Sequence, residues 1–258
     1  MSRVASAMAR PLLHCRQLVV GHDGHGILPP VDVSIRSGEL WAVIGRNGAG
    51  KTTWLRTLLG LLPPVSGALD FPGQPPRLSY LAQRQTFDAH YPLRVRDVVA
   101  MGTDRGSCWF TRPRAHAALV DAALQRVAAS ELAQRPFREL SEGQKQRVLF
   151  ARVAAAQPDL AVLDEPTSAM DLVAEQEAWR LLERLRQEAG LALVVVSHYV
   201  GLAGKYADQI VFLDRESKAA VVGTPREVFA HPLFRERYGD AHEPQRSAHS
   251  AATPGAAS

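Results

Sequence analysis

The chain has 258 residues, of which 46% are hydrophobic and 22% are charged, so it has the composition of a globular protein of one large domain or two small lobes. Its formal net charge is only +4 and no basic cluster is interleaved with aromatic residues, so nucleic acid is not expected as a partner. No apolar run reaches the roughly 18 residues of a membrane span, Met1 to Arg10 lacks the apolar stretch of a secretory signal, and two distant cysteines indicate reduced thiols.

The chain is expected to begin with short antiparallel strands. Leu12–Val20 and Val31–Ile35 are apolar or alternating stretches on either side of a loop rich in glycine. Within that loop, His22, Asp23 and His25 have a spacing that would suit a metal site. A polar hairpin loop is the favoured interpretation of these residues.

A phosphate-binding loop follows at residues 45–52, which read Gly-Arg-Asn-Gly-Ala-Gly-Lys-Thr and fit the pattern G-x-x-x-x-G-K-[ST]. Apolar Leu40–Ile44 precedes it, and the helical pattern after it is expected to extend to about Leu62, where two prolines stop it. The backbone N–H groups of such a loop and the positive end of its helix bind phosphate. Lys51 is expected to neutralise β- and γ-phosphate oxygens, and the Thr52 hydroxyl to bind Mg²⁺. A chance glycine-rich turn is disfavoured by the strand and the helix that flank the loop.

The middle of the chain predicts two strands and then a mostly helical insertion. The strands are expected at Gly67–Phe71 and Leu78–Leu81, and helical periodicity follows over Leu93–Met101 and Arg114–Ala133. Residues 88–150 are therefore interpreted as a helical subdomain inserted into a nucleotide-binding core.

A further helix is expected to begin at Ser141. Ser141 followed by Gln144 three residues later is the pattern of a capping box, in which each side chain bonds the backbone N–H of the other residue. The helix is expected to end before Pro158.

The second half alternates apolar strands with helices, which predicts a mainly parallel sheet. The expected elements are a strand at 160–164, a helix at 172–188 stopped by Gly190, a strand at 191–196, a helix at 202–206, a hairpin of 210–213 with 219–222, and one helix over 225–237. The segment from Gly239 onward has no periodicity and is expected to be disordered. Residues 1–11 are expected to form a flexible start.

Three apolar strands each end in polar groups: the phosphate-binding loop, Asp164 with Glu165, and His198. Because the carboxyl ends of parallel strands meet at one edge of a sheet, these groups are expected to converge. Asp164 is then expected to hold Mg²⁺, and Glu165 to act as general base on the water that attacks the terminal phosphate.

In this order the motifs resemble those of the ATP-binding subunits of ATP-binding cassette (ABC) transporters, over residues 12–238. The matching segments are Gly45–Thr52 (Walker A), Gln83 (Q-loop), Leu140–Gln144 (the family signature), Leu160–Glu165 (Walker B), Ser168–Asp171 (D-loop) and His198 (switch histidine). The resemblance implies an α/β fold: a P-loop NTPase core with a mainly parallel sheet, an N-terminal antiparallel β subdomain and an inserted helical subdomain.

The resemblance also implies that two such subunits pack head to tail as a homodimer. Each ATP, with Mg²⁺, would lie between the P-loop of one subunit and the signature of the other. The implied nucleotide-binding residues are Gly45, Asn47, Gly48, Ala49, Gly50, Lys51, Thr52, Thr53, His22, Ser141, Gly143 and Gln144. The implied metal-binding residues are Thr52, Gln83 and Asp164, and the implied catalytic residues are Glu165, His198 and Lys51.

Three positions depart from the usual pattern of the family. His22 stands near the place of an aromatic residue that stacks on adenine, Glu142 occupies a variable position of the signature, and Met170 replaces the usual Leu of the D-loop. The last change conserves volume.

As an ATPase without a membrane span of its own, such a subunit implies separate multi-span permease subunits that dock near Gln83 and the helical insertion. It also implies an extracytoplasmic substrate-binding protein, and a peripheral position on the cytoplasmic face of the inner membrane. Within importers, the segments that look like the zinc, manganese and iron subgroup are 91–102, 109–113, 146–152, 223–229 and 238–239.

Three alternatives remain open. Siderophore and cobalamin importers share part of these segments. A soluble ABC ATPase acting on ribosomes or DNA resembles two fused cassettes or a cassette split by a coiled coil, whereas this chain has one P-loop, one signature and no heptad run. A P-loop kinase or GTPase would leave Leu140–Gln144 and His198 without a role.

Overall fold

The computed structural model describes residues 10–83, 92–103, 113–167 and 170–239. The strands are β1 (Pro11–Val19), β2 (Gly21–His22), β3 (His25–Gly26), β4 (Val31–Arg36), β5 (Leu40–Ile44), β6 (Ser66–Asp70), β7 (Leu78–Leu81), β8 (Leu160–Asp164), β9 (Ala192–Val196), β10 (Gln209–Asp214) and β11 (Ala219–Gly223). The helices are α1 (Lys51–Leu58), α2 (Val95–Ala100), α3 (Pro113–Arg126), α4 (Glu142–Ala155), α5 (Leu172–Ala189), α6 (Val200–Tyr206), α7 (Pro225–Ala230) and α8 (Pro232–Tyr238). Residues 1–9 of the expected flexible start, residues 109–112, Ser168 and Ala169 of the D-loop, and the expected tail after Gly239 lie outside the described residues.

The central sheet has six strands in the order β11-β10-β5-β9-β8-β7, and the strands from β10 to β7 run parallel. β11 adds an antiparallel edge through the predicted hairpin with β10. The prediction of a mainly parallel sheet is confirmed. Helices α2, α3 and α4 come between β7 and β8, two neighbouring parallel strands, so they form the predicted helical insertion; its exact boundaries stay predictions.

Both faces of this sheet are buried, because successive side chains of a strand point to opposite faces and every position of β5, β8 and β9 is apolar or enclosed. On one face Ala42, Leu163 and Val195 pack with the helices of the insertion and α5. On the other face Val43 and Val194 pack with α1 and the N-terminal strands. The continuous apolar runs in the sequence reflect this double burial.

The N-terminal strands β1 and β4 pair antiparallel, as predicted, and β6 joins them in a second sheet of order β4-β1-β6, which was not predicted. β6 reaches this sheet although α1 separates it from β1 and β4 in the chain. Gly67 permits the close approach: its φ is +83°, and a Cβ there would lie 2.1 Å from the carbonyl oxygen of Gln17.

The predicted end of the P-loop helix was wrong by four residues. α1 ends at Leu58, ahead of the two prolines, because Gly60 adopts a φ of +70°. The N–H of Leu61 then donates to the carbonyl oxygen of Arg56 at 2.8 Å, which closes the last turn.

The helix expected over 114–133 is also shorter. α3 ends at Arg126, Ala128 adopts a φ of +51°, and a single 3₁₀ turn follows at Ser130–Leu132. By contrast α5 ends where expected, with Gly190 in the left-handed conformation.

The single helix predicted over 225–237 was wrong, since the structure has two helices, α7 and α8. The break lies at His231, which has φ −66° and ψ 132° and is followed by Pro232. Proline disfavours the helical conformation in the residue before it. His231 then caps α8, as its Nδ1 accepts the N–H of Leu233 at 3.3 Å.

Among the described residues, no helix combines the length and apolar character needed to span a bilayer.

Candidate nucleotide-binding and hydrolysis site

A cleft of about 450 Å³ lies beside the phosphate-binding loop, at the carboxyl edge of the central sheet. It is lined by His22, Ile27, Asn47, Gly48, Gly50, Lys51, Thr52, Thr53, Gln83, Glu165, His198 and Arg215. Sequence reasoning had singled out all of these except Ile27 and Arg215. The predicted convergence of strand ends is therefore present in the fold.

Arg215 was missed although a signal for it exists. It follows Asp214 directly after the apolar run of β10, which is the pattern that identified Asp164 and His198. What the sequence did not supply was the strand order, which places β10 beside β5. That pairing brings the carbonyl oxygen of Leu213 so close to Gly45 that a Cβ there would lie 2.5 Å from it.

The loop itself is shaped for phosphate. Gly48 and Gly50 have φ values of +78° and +96°, and Gly50 is the N-cap of α1, so the amino end of that helix faces the cleft. Gly45 and Ala49 do not line the cleft; Ala49 is buried, and its N–H donates to the carbonyl oxygen of Arg46 at 3.1 Å.

Lys51 is a buried cation held over this loop, with 6% of its side chain exposed. Its Nζ donates to the carbonyl oxygens of Gly45 at 2.9 Å and Arg46 at 3.2 Å, and lies 3.7 Å from Oε1 of Glu165. Burial lowers the pKa of Lys51, and the charges of Glu165 and Asp164 oppose that shift. Phosphate oxygens are the natural replacement for the two carbonyls.

Asp164 and Thr52 lie together at the other side of the loop. Oδ2 of Asp164 accepts from the Thr52 hydroxyl at 3.1 Å and from the Tyr80 hydroxyl at 3.5 Å. Oδ1 is buried and finds no hydrogen-bond partner among the described residues. Burial, with the neighbouring charge of Glu165, raises the pKa of Asp164, while the Thr52 bond and Lys51 oppose the shift. Oxygen ligands with an unsatisfied buried lone pair fit Mg²⁺.

Glu165 is the residue on which the other predicted groups meet. Its Oε1 lies 2.7 Å from Nε2 of His198, and its Oε2 accepts from Nε2 of Gln83 at 2.5 Å. Gln83 was predicted as a metal ligand and here bonds Glu165 instead. The carboxylate is 11% exposed, and the backbone of Glu165 has a φ of +49°, a strained conformation that is typical of functional sites.

His22 forms the opposite wall of the cleft. The predicted polar hairpin is confirmed as β2 paired with β3, in which His22 lies opposite His25. Nε2 of His22 lies 3.3 Å from Oγ1 of Thr53 in the first turn of α1. An imidazole in this position is suited to contact a base whose phosphates lie on the loop.

The signature residues are not part of this cleft. Ser141 is the N-cap of α4 and forms the predicted capping box: its Oγ accepts from the N–H of Gln144 at 3.3 Å, and its own N–H donates to Oε1 of Gln144 at 3.1 Å. Gly143 lines a different cleft, of about 290 Å³, against α5. Within one chain, these residues therefore lie away from the nucleotide cleft. That they contact ATP bound to a second subunit stays a prediction.

The family model for ABC transporters matches residues 28–168. The chain is 36% identical over 234 residues to the zinc import ATP-binding protein ZnuC of Pseudomonas entomophila, which covers 90% of this chain and 85% of that protein. The ZnuC protein of Cereibacter sphaeroides is 36% identical over 230 residues, 88% of each chain. A solved metal-chelate type ABC transporter in an inward-facing conformation superposes with a TM-score of 0.76 at 28% identity, over 85% of each chain.

Proposed function

The chain belongs to the ABC transporter family, as an ATP-binding subunit that hydrolyses ATP, and from this premise we propose that it powers the import of a metal cation, zinc or its neighbours manganese and iron. The observation that supports the chemistry best is the convergence of Lys51, His198 and Gln83 on the carboxylate of Glu165. The chain is 36% identical to a zinc import ATP-binding protein over 90% of its length, and this similarity supports the choice of substrate.

Phosphoryl transfer requires positioning and neutralisation of charge more than covalent chemistry. The N–H groups of residues 45–52 and Nζ of Lys51 bind the β- and γ-phosphates of ATP. Thr52 and Asp164 would hold Mg²⁺, which would supply positive charge to the phosphate oxygens. Asp164, whose pKa is raised by burial, would be kept ionised by a cation held there.

Glu165 acts as general base on the attacking water. His198 is close enough to Glu165 to orient its carboxylate, and Lys51 neutralises charge on the phosphate. Gln83 donates to the second oxygen of Glu165 in this structure, so the attacking water either shares that oxygen with Gln83 or replaces it.

ATP joins two copies of the chain. The P-loop of one copy presents phosphate to the capped end of α4 in the other, where the Ser141 hydroxyl and the backbone N–H of Gly143 face the γ-phosphate. Hydrolysis removes the charge that held the interface and separates the copies.

The motion is passed to separate permease subunits, which dock near Gln83 and the helical insertion. An extracytoplasmic binding protein delivers the substrate, and the ATPase lies on the cytoplasmic face of the membrane. Gln83 is suited to this coupling because its side chain donates to Glu165 in the hydrolysis site, and because it follows β7, where the chain leaves the sheet for the helical insertion.

A chelated metal is the second candidate substrate. The observation that favours it is the similarity to the solved metal-chelate type transporter. ABC subunits do not themselves contact the cargo in this scheme, so uptake must be measured to separate the two candidates.

The test is uptake in a strain from which the gene is deleted. We expect accumulation of radioactive zinc to fall in the deletion strain, and to be restored by the parent chain and by E188Q, which changes an exposed helix carboxylate. E165Q is not expected to restore uptake. Loss of chelated-iron uptake with zinc uptake intact would instead support the second candidate.

A further inference from the structure

Among the described residues outside the motifs, one carboxylate close to the hydrolysis site is fully enclosed. Glu175, in the first turn of α5, is 0% exposed. Its Oε1 accepts three hydrogen bonds, from Oγ1 of Thr167 at 2.9 Å, Nε1 of Trp179 at 3.3 Å and Oγ of Ser197 at 3.4 Å. A carboxyl group is expensive to bury unless donors satisfy it. The three donors satisfy Oε1, whereas Oε2 is buried without a hydrogen-bond partner among the described residues.

The first of these bonds secures the turn that carries the general base. Thr167 lies two residues after Glu165, whose left-handed backbone is strained and persists only where the surroundings hold it. Thr167 is itself buried, with 5% of the residue exposed. Its hydroxyl therefore ties the strained turn to a fixed point in α5.

The third bond secures the turn that carries the switch histidine. Ser197 directly precedes His198, and its Oγ donates to Glu175 while it accepts the N–H of Tyr199 at 3.0 Å. The backbone on both sides of His198 is thus held through one hydroxyl. Glu175 is the acceptor shared by both turns.

We infer that Glu175 is a positioning residue for ATP hydrolysis: it clamps the segments of Glu165 and His198 to each other and so fixes the 2.7 Å contact between their side chains. The inference rests on the roles proposed above for Glu165 and His198. Glu175 touches neither the nucleotide cleft nor the phosphate-binding loop, and acts through Thr167 and Ser197.

A neutral side chain is expected to serve in its place. Burial raises the pKa of Glu175, while the bonds from Thr167, Trp179 and Ser197 and the charge of His198 oppose that shift. The amide oxygen of Gln can accept the same three bonds, while its Nε2 would take the place of Oε2, which has no hydrogen-bond partner among the described residues. Ala offers no acceptor and leaves the three donors unpaired.

The experiment compares steady-state ATP hydrolysis by the parent chain, E175A and E175Q. We expect E175A to lower kcat about 10- to 100-fold with KM for ATP within about two-fold, because misplaced catalytic groups affect turnover while the phosphate loop is untouched. E175Q is expected to stay within about three-fold of the parent. T103V is the matched control, since it removes another buried hydroxyl, bonded to the carbonyl oxygen of Ala100 at 2.8 Å, away from the site.

A merely structural role predicts a different pattern. Lost stability would reduce the active fraction and leave the kcat of the folded enzyme unchanged, so kcat is normalised to the number of sites that bind fluorescent ATP. T167V cuts only the link to the Glu165 turn, and it is expected to lower kcat in the same direction should E175A not fold. Parental kcat in folded E175A, or in T167V, would overturn the inference.

A double-mutant cycle separates this inference from the proposed function. In E165Q the base that Glu175 positions is already absent, so adding E175A is expected to change the residual single-turnover rate by less than about two-fold. An equal loss in both backgrounds would overturn the positioning role and leave the function standing. Parental hydrolysis by E165Q alone would overturn the roles on which both depend.

Discussion

Single side chains set the chemistry of the cleft. Among those that line it, His22 departs most from the usual pattern of the family, which has an aromatic residue near this position. Its imidazole is held at the wall of the cleft by a two-residue hairpin and by a contact with Thr53. An imidazole presents a flat face but less area than a phenol ring, so a stack on adenine is expected to be modest.

The prediction for His22 concerns affinity. We expect H22A to raise the Kd for ATP about 3- to 10-fold, which corresponds to about 1 kcal/mol of lost stacking, and H22F to keep Kd within about two-fold of the parent. Fluorescence titration with an ATP analogue labelled on the ribose measures both. H25A is the matched control, because His25 lies opposite His22 in the hairpin and does not line the cleft. Equal effects of H22A and H25A would assign the change to the hairpin rather than to the base.

At the scale of elements, two helices begin with the same capping box in different surroundings. In α4 Ser141 and Gln144 form it, and in α7 Thr224 and Glu227 form it, with the Thr224 hydroxyl accepting the N–H of Glu227 at 3.4 Å. The box at α7 does not border the nucleotide cleft. It therefore provides a control for the cost of losing a cap.

We expect S141A and T224A to destabilise the fold by similar amounts, about 0.5 to 2 kcal/mol each, measured by urea unfolding. Only S141A is expected to lower ATP turnover, by about 10²-fold, since its hydroxyl is proposed to face the γ-phosphate of a partner. Similar turnover in the two variants would restrict Ser141 to its local role as a cap.

The hairpin of β10 and β11 is joined to the end of α8 by an enclosed ion pair. Nε of Arg237 lies 2.7 Å from Oδ2 of Asp214, whose side chain is 7% exposed. Burial by itself raises the pKa of Asp214, but hydrogen bonds from Arg237, Ser217 and the N–H of Glu216 outweigh it and leave the pKa below its ordinary value. Stability from this group is thus present above the unfolded pKa of about 3.9 and is lost as the pH falls towards the folded value.

We accordingly expect the Tm of D214N to lie about 2 to 4 °C below that of the parent at pH 7. This difference in Tm is expected to narrow below about pH 4, where Asp214 of the parent becomes protonated. Thermal unfolding followed by circular dichroism at several pH values measures it. D70N is the control, because Asp70 pairs with Arg16 on the surface, where its side chain is 42% exposed and an ion pair contributes little. If the difference in Tm between D214N and the parent were the same at every pH, ionisation of Asp214 would not be the source of the stability.

At the scale of the whole molecule, the two halves of the proposed ATP site do not meet within one chain. The phosphate-binding loop lies at the carboxyl edge of the sheet, whereas the signature end of α4 borders a separate cleft against α5. A second copy in a head-to-tail arrangement would join the two halves.

We therefore expect E165Q, in which ATP should bind but be hydrolysed only slowly, to elute with twice the mass of the chain when ATP and Mg²⁺ are present, and as a monomer with ADP. Size-exclusion chromatography with light scattering measures the mass. S141R places a bulky side chain at the signature and is expected to prevent the dimer while leaving ATP affinity unchanged. A monomeric E165Q at saturating ATP would exclude nucleotide-driven dimerisation.

The sequence by itself determined most of the residues that line the cleft. A glycine loop, a capped helix and polar residues at strand ends are local features, because each depends on backbone geometry within a few residues. For the same reason, where the local signal was misread, as at Gly60 and Pro232, the cause was also local: a left-handed residue and a proline each end a helix sooner than the apolar period suggests.

Only the tertiary structure decided which distant segments touch. Periodicity shows that β10 is a strand but not that it pairs with β5, and that pairing alone brings Arg215 to the phosphate loop. Glu175 reads in sequence as an ordinary charged residue of an amphipathic helix, yet it is enclosed between Thr167 and Ser197. Strand order and burial follow from the packing of the whole chain, because both faces of the sheet must be covered at the same time. A window of a few residues therefore cannot show which strands pair or which side chains are buried.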